Sequence, residues 1–345
     1  MDERPDIREE EQDLYEHYCF VVDKGQSLLR IDKFLMYKIQ NASRNKIQNA
    51  SRAGNILVNE QAVKPNYKVK PEDVISIVLS YPPREIEIIP QDIPIDIAYE
   101  DNDLIFINKQ AGMVVHPAYG NYTGTLVNAL TYYMRKQSGD PEAFPYLVHR
   151  IDKDTTGIMV VAKNEIVQSK LAKIFFDHDL DRRYIALVWG DPGNDEGTIT
   201  GNITRSNKDR KIFTVTEEED KGKHAITHYR VLKRFRYVTL VECTLETGRT
   251  HQIRVHFKHA GHPLFNDETY GGNAILKGTT FTRYRQFVEN CFKILPRQAL
   301  HAKSLRFNHP VTGKPVFIDS ELPQDMQEVI NRWDNYTLHN NGEQN

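Results

Sequence analysis

Over the first eighty residues the spacing of apolar positions switches from a helical period to short strands. In LLRIDKFLMYKI (28–39) the apolar side chains recur at helical spacing. Ser43 then stands as an N-cap for a second helix, RNKIQNASRAG, closed by Gly54, and NILVN and DVISIVLS read as strands. Beyond a proline-rich stretch, YPPREIEIIPQDIPI, strands alternate with fewer helices. DLIFINK, GIMVVAK, RRYIALVWG, AITHYRVLKRF and RYVTLVECTLETG have strand character, and the last alternates as a half-buried antiparallel strand does. TLVNALTYYMRK, NEIVQSKLAKIFFDHD and HQIRVHFKHAG have helical character. The order is not a regular βαβ repeat, so the class expected is α+β. The pentapeptide QNASR occurs at 40–44 and 48–52, too short to signal a repeat architecture. The expected organisation is an acidic tail (1–15), a small α/β module (16–80), a linker (81–94), a main domain (95–334) and a loose polar tail (335–345).

Composition narrows the class further. Hydrophobic residues make up 39% of the 345, enough for a sizeable core under a wetted surface. Cys19, Cys243 and Cys291 lie too far apart for a disulfide scaffold or a cysteine zinc cluster. The longest apolar run is about five residues, against the ~20 of a membrane span. The acidic start, MDERPDIREEEQD, is the opposite of a signal peptide. A soluble cytoplasmic protein with no membrane partner is expected.

The net charge of -2 hides a segregation. Residues 29–70 carry nine Lys/Arg against two acids, Asp32 and Glu60, whereas 71–104 carry nine acids against one arginine. A basic island in an acidic frame is the footprint of a phosphate-binding module, although a solvated basic surface has the same composition.

Candidate chemistry concentrates in YLVHRIDKDTTGIMVVAKN (146–164), where HRIDKDTTG joins two apolar stretches. Asp152-x-Asp154-x-Thr156 fits a phosphotransferase loop in which paired carboxylates hold Mg²⁺, but His149-Arg150 stand where a clean strand should precede the acid. An EF-hand starting at Asp152 would need an acid where Lys163 stands. A turn capped by Asp and Thr side chains accounts for the residue types without any chemistry.

The same segment resembles the signature of the RluA/RluD family of pseudouridine synthases, H-R-L-D-x-x-T-S-G followed by an apolar strand and Ala-Lys. His149-Arg150-Ile151-Asp152, Thr155-Thr156-Gly157 and Ala162-Lys163 match it, with Ile for Leu and Thr for Ser. Further blocks follow in order over about residues 16–320. KQAGMVVHPAYGNYTGTLVNAL is similar to the family's block upstream of the catalytic loop, with Gln110 where proline is usual. RRYIALVWG resembles the tyrosine-bearing strand, LETGRTHQIRVHFKHAGHPLFNDETYG the arginine-bearing segment, and HAKSLRFNHP a late strand that lines the pocket with a leucine. The basic module resembles an S4 RNA-binding domain through Arg30-Ile31-Asp32-Lys33-Phe34-Leu35, Ser43-Arg44, Gly54 and Val58-Asn59. The fold implied is an S4-like module followed by a mixed, largely antiparallel-sheet catalytic domain.

The resemblance implies isomerisation of uridine to pseudouridine in structured RNA, most of all large-subunit ribosomal RNA, by a monomer without cofactor or metal. The reaction breaks the N1–C1′ bond, turns the uracil and rejoins it through C5. It conserves every atom and needs one carboxylate, as nucleophile at C1′ or base at C2′, unlike glycoside hydrolysis with its two acids and a water. The motif selects Asp152 over Asp154. Burial would raise the pKa of this carboxyl and an adjacent guanidinium would lower it; Arg254, on one helical face with His251 and Lys258, is the candidate partner. Tyr184 is expected to stack on the flipped uracil. RNA contacts are expected at Arg30, Lys33, Arg44, Lys46 and Arg52 in the module, and at His149, Arg150, Arg249, His251 and Leu305 around the site, with a structural histidine as the other reading of His149. His256, His259 and His262 belong to no metal signature. The basic, aromatic stretch 279–298 either contacts RNA or covers the core. Two other classes stay open: an S4-type assembly factor without catalysis, and a Mg²⁺-dependent phosphotransferase using Asp152 and Asp154.

Overall fold

The computed structural model describes residues 15–39, 42–79, 88–117, 121–206, 212–218 and 221–341. It divides into two compact units, 1–87 and 88–345. Except for Tyr15, the expected acidic tail lies outside the described residues, as do 81–87 of the expected linker.

The first unit contains β1 (Tyr15–Val21), β2 (Leu29–Arg30), α1 (Ile31–Lys38), α2 (Arg44–Arg52), β3 (Ile56–Val58), β4 (Gln61–Ala62), β5 (Lys68–Val69) and β6 (Val74–Leu79). The Ser43 hydroxyl caps α2 by accepting from the Lys46 amide at 3.3 Å. Gly54 takes φ +77°, the left-handed turn that ends the helix. Ile31, Phe34, Leu35 and Ile47 pack on Ile56, Val58, Ile75 and Ile77, so the helical period and the strands share one core.

The second unit contains β7 (Ile97–Glu100), β8 (Leu104–Lys109), α3 (Leu126–Ser138), β9 (Tyr146–Leu147), β10 (Thr156–Ala162), α4 (Glu165–Phe176), β11 (Asp181–Trp189), β12 (Glu196–Arg205), β13 (Phe213–Thr216), β14 (Lys223–Arg234), β15 (Val238–Leu245), α5 (Gln252–His259), α6 (Thr282–Ile294), β16 (Leu300–Asn308), β17 (Pro315–Asp319) and α7 (Gln324–Asn341). One sheet of eleven strands runs β13-β12-β14-β15-β11-β16-β10-β8-β7, with β17 on β16 and β9 on β10. Every pairing between named strands is antiparallel except β10 with β16, where Thr156 faces His301 and Gly157 faces Ala302. All seven residues of β10 are buried, as its near-continuous apolar run implies for a strand covered on both faces.

Alternation along the central strands sends residues to two layers. Ile105, Ile107, Met159, Val161, Tyr184 and Ala186 face a core shared with α3 and α5. On the opposite face, Phe106, Ile158 and Val160 meet α4, and Ile185, Leu187 and Trp189 meet α6 and α7. Tyr284, Val288 and Cys291 of α6 are buried there, so the basic, aromatic stretch forms part of the core cover.

Two expected boundaries differ. Residues 88–94 are not free linker: Asn128 of α3 donates to the Ile89 carbonyl, and the Gln91 amide donates to Asn128. The tail after Trp333 is helical through Asn341, because the Tyr336 ring stacks on Phe287 at 4.6 Å and the Thr337 hydroxyl accepts from the Arg236 amide.

Candidate active site

Residues 148–155 run from β9 into β10 at the edge of the core that α3 and α5 share. The turn closes where the Thr155 amide donates to the Asp152 carbonyl at 3.2 Å. Arg254 comes from α5, which starts from His251 in a left-handed conformation, φ 56°. Its guanidinium is buried and divides its donors. Nε and Nη2 form a fork on the fully buried Asp267 at 2.7 and 2.9 Å, and Nη1 reaches Asp152 Oδ2 at 2.9 Å. The Tyr270 ring lies 5.0 Å from it. Burial opposes the charge on Arg254, but the hydrogen bonds and charges of Asp267 and Asp152 hold its pKa above the usual value.

Asp152 and Tyr184 line one cavity of about 600 Å³, together with Arg150, Phe175, Arg182, Arg249 and Leu300. Tyr184 enters it from β11, nearly buried, and burial keeps its phenol pKa raised against the pull of Arg182. His251 Nδ1 pairs with the Tyr270 hydroxyl at 2.8 Å and Nε2 lies 3.8 Å from Asp152; burial lowers its pKa. A second cavity of about 390 Å³ shares Arg150, Asp152, His251 and Arg254. Asp154 lines the second cavity and not the first, so the two acids are not paired around the tyrosine-lined cavity.

A family model described as RNA pseudouridylate synthase matches residues 103–259, and an S4 domain model matches 29–75. An uncharacterized RNA pseudouridine synthase of Chlorobaculum parvum is 46% identical over 315 residues, covering 90% of this chain and 96% of its own. The chain belongs to the RluA/RluD family of RNA pseudouridine synthases. A ribosomal large subunit pseudouridine synthase D of Zymomonas mobilis is 42% identical over 307 residues, 86% of this chain and 92% of the relative. The solved human RNA pseudouridylate synthase domain containing 4 shares the fold, with a TM-score of 0.55 at 23% identity over 69% of this chain and 93% of that one. The synthase is an isomerase acting on RNA.

Several side chains of the synthase sit differently from expectation. Leu305 does not line the cavity. It packs with Phe106, Val160 and Phe307 on the far face of the sheet, and Leu300 of the same strand lines the cavity instead. His149 borders the cavity, but its Nε2 accepts from the Val160 amide at 3.0 Å and its ring lies on Phe175. Burial and the charge of Arg182 push its pKa down to about 3, so it is a neutral brace rather than a phosphate-binding cation. Arg249 donates Nε to the His224 carbonyl, and Arg150 is exposed at the rim of both cavities.

In the S4 unit, Arg30 and Arg44 both turn to the buried Asp32, at 2.9 and 3.0 Å, and Gln48 joins them at 2.7 Å. Burial opposes the charge on Asp32, but these hydrogen bonds carry its carboxyl well below the usual range. Arg52 reaches Asn49, and Lys33 and Lys46 are exposed.

The residues under the catalytic loop were absent from the sequence reading. Lys109, fully buried, donates to the carbonyls of Gln110, Met113 and Lys153; burial pushes its pKa down to about 7. Arg297 donates to the Asp154 carbonyl at 3.1 Å while its fork holds Asp325. Gln298 reaches the Thr155 hydroxyl, and His301 pairs with that of Thr156. Three consecutive loop residues, 153–155, and the first residue of β10 are each tied to a buried side chain. Asp267 was missed because a single buried acid has no periodicity; the one available signal was that a buried arginine requires a carboxylate.

The histidines of the 256–262 stretch have separate partners: His256 pairs with Thr227 and His262 with the Trp189 carbonyl. Among the described residues, Asp101, Asp103 and His309 come close enough to hold a metal. His309 Nδ1 accepts from the Val311 and Thr312 amides, which puts its proton on Nε2, 3.2 Å from Asp101. That tautomer offers no lone pair to an ion.

Proposed function

We propose that Asp152 is the carboxylate that acts on the ribose, that Arg254 holds it in place, and that Tyr184 stacks on the uracil while its hydroxyl helps move the C5 proton. The observation that carries this is the divided guanidinium: anchored on Asp267 by a fork, Arg254 presents one N–H to Asp152 at the wall of the cavity that Tyr184 lines. A uridine extruded from the RNA enters the cavity. The Asp152 carboxylate either attacks C1′ and displaces N1, or takes the C2′ proton as the N1–C1′ bond breaks. The uracil turns, C5 joins C1′ as the Asp152–C1′ bond breaks or the proton returns to C2′, and C5 loses its proton while N1 gains one. Redox state and composition are unchanged, so these side chains suffice without a cofactor.

The substrate in this reading is large-subunit ribosomal RNA, supported by the S4 match and by the names of relatives at about 40% identity. The enzyme works as a monomer in the cytoplasm; no helix among the described residues is long and apolar enough to cross a membrane. Arg150, Arg249 and His251 contact the RNA at the site, and Arg30, Lys33, Arg44, Lys46 and Arg52 contact it from the S4 unit. Chemical mapping of pseudouridine in ribosomal and transfer RNA from cells lacking the protein tests the reading. Sites lost from large-subunit RNA and restored by wild type but not by Asp152→Asn are the expected result. Loss confined to transfer RNA would refute the substrate.

A further inference from the structure

Phe176, the last residue of α4, is 82% exposed, and no large apolar side chain among the described residues is more so. It is not on a floppy end. The Asp177 amide donates to Lys173, the Asp179 amide reaches back to the Ile174 carbonyl at 3.0 Å, and His178 between them is left-handed at φ 59°. That is a Schellman closure with a histidine where glycine is usual, so backbone strain is accepted to fix the helix end. The preceding ring, Phe175, is held between His149 at 4.7 Å and the Arg182 guanidinium at 5.9 Å.

The exposed ring, on a helix end with a fixed backbone, stands at the wall of the cavity that holds Asp152 and Tyr184. Arg150, Arg182 and Arg249 share that wall, and Arg182 Nε is buried without a hydrogen-bond partner. An apolar face beside Arg150, Arg249 and the unpartnered Nε of Arg182 suits a flat, neutral π-surface attached to phosphate. A protein partner would have to bury the same arginines. A nucleobase lets the ring stack while the strand's phosphates meet the guanidiniums. Extruding a uridine also unstacks its neighbours, which then need a surface.

We propose that Phe176 is a stacking platform for the unpaired base next to the target uridine, and so sets which flanking sequences the enzyme accepts. This rests on the RNA-isomerising reading of the cavity. Because the side chain is exposed, its replacement leaves the core intact. The synthase has two tryptophans, Trp189 and Trp333, both fully buried, so Phe176→Trp adds one exposed indole whose emission is separable. With a large-subunit ribosomal RNA transcript tritiated at uridine C5, Phe176→Ala is expected to raise KM about tenfold and to lower kcat far less. Phe176→Tyr should restore KM, and the indole of Phe176→Trp should be quenched when the transcript binds. An unchanged KM in Phe176→Ala, or full indole emission with RNA bound, overturns the proposal. So does a change in sedimentation of the RNA-free protein, which would assign the ring to a protein interface. If wild type releases no tritium from the transcript, the substrate reading fails instead, and indole emission on the bound transcript still decides the stacking.

Discussion

In the S4 unit a buried carboxylate, Asp32, gathers two half-exposed guanidiniums, Arg30 and Arg44; in the catalytic unit a buried guanidinium, Arg254, gathers two carboxylates, Asp267 and Asp152. The clusters are near inverses. The first leaves one positive charge in excess at the surface. The second leaves one negative charge in excess, on the carboxylate that lines the cavity. The buried member serves as the anchor in both, and the two clusters leave charges of opposite sign facing outward.

The largest expected effect tests the outward carboxylate. Asp152→Asn should abolish tritium release and keep RNA affinity, while Asp154→Asn retains substantial turnover. Comparable loss in both would restore the paired-acid reading. Arg254→Met comes next. It leaves fully buried Asp267 without a counter-charge, at a cost of about 3–5 kcal/mol, and activity should nearly vanish. Urea denaturation and single-turnover kinetics check both halves, and wild-type turnover would show that another group orients Asp152.

Acid should separate the two units. In the catalytic unit, burial pushes the pKa of His149 down to about 3 and those of His256 and His301 to about 4. Between 6.5 and those values the unfolded chain binds protons that the folded chain refuses. Stability is therefore full above pH 6.5 and falls with pH by about 1.4 kcal/mol per unit for each such histidine. Asp32 in the S4 unit has a lowered pKa, so its contribution is present above 3.8 and lost only as pH falls further. Both tryptophans lie in the catalytic unit, so their fluorescence should change before amide exchange of 31–58 accelerates. Simultaneous transitions would remove the contrast. The smallest effect concerns a single exposed cation. Lys46→Ala should lower the slope of log affinity against log salt by about one without changing stability, whereas Arg44→Ala changes both. Identical slopes for wild type and Lys46→Ala would take that residue off the RNA.

The strands and helices with clear periods were legible: α1, α2 and the apolar runs of β8, β10 and β11 declare themselves. So did the residues of the 146–164 motif and its distant arginine, because each sits in a block with its own signature. What depended on tertiary contact was not legible. Residues 88–94 read as linker from their prolines, yet their carbonyls and side chains serve α3. Leu305 was read from position in a motif, whereas the face on which a strand residue lies follows from pleat and bulge; the register of β16 on β11 shifts between Arg183 and Tyr184. Lys109 and Arg297 look like surface cations in sequence and lie buried because loop carbonyls and Asp325 accept from them.

The order of strands in the large sheet has a consequence for biogenesis. β11 carries Tyr184, β10 follows the loop of Asp152, and between them lies β16, residues 300–308. A nascent chain that has emerged only as far as α5 already contains Asp152, Tyr184 and Arg254, but lacks the strand that fixes their separation. When β16 arrives, Ala302 must close on Gly157, whose missing side chain matters: a Cβ there would lie 2.1 Å from the Ala302 carbonyl oxygen. Closing contacts across some 145 residues of sequence is a late, slow event in folding. The cavity that Asp152 and Tyr184 line is therefore complete only when residues 300–308 insert between β10 and β11.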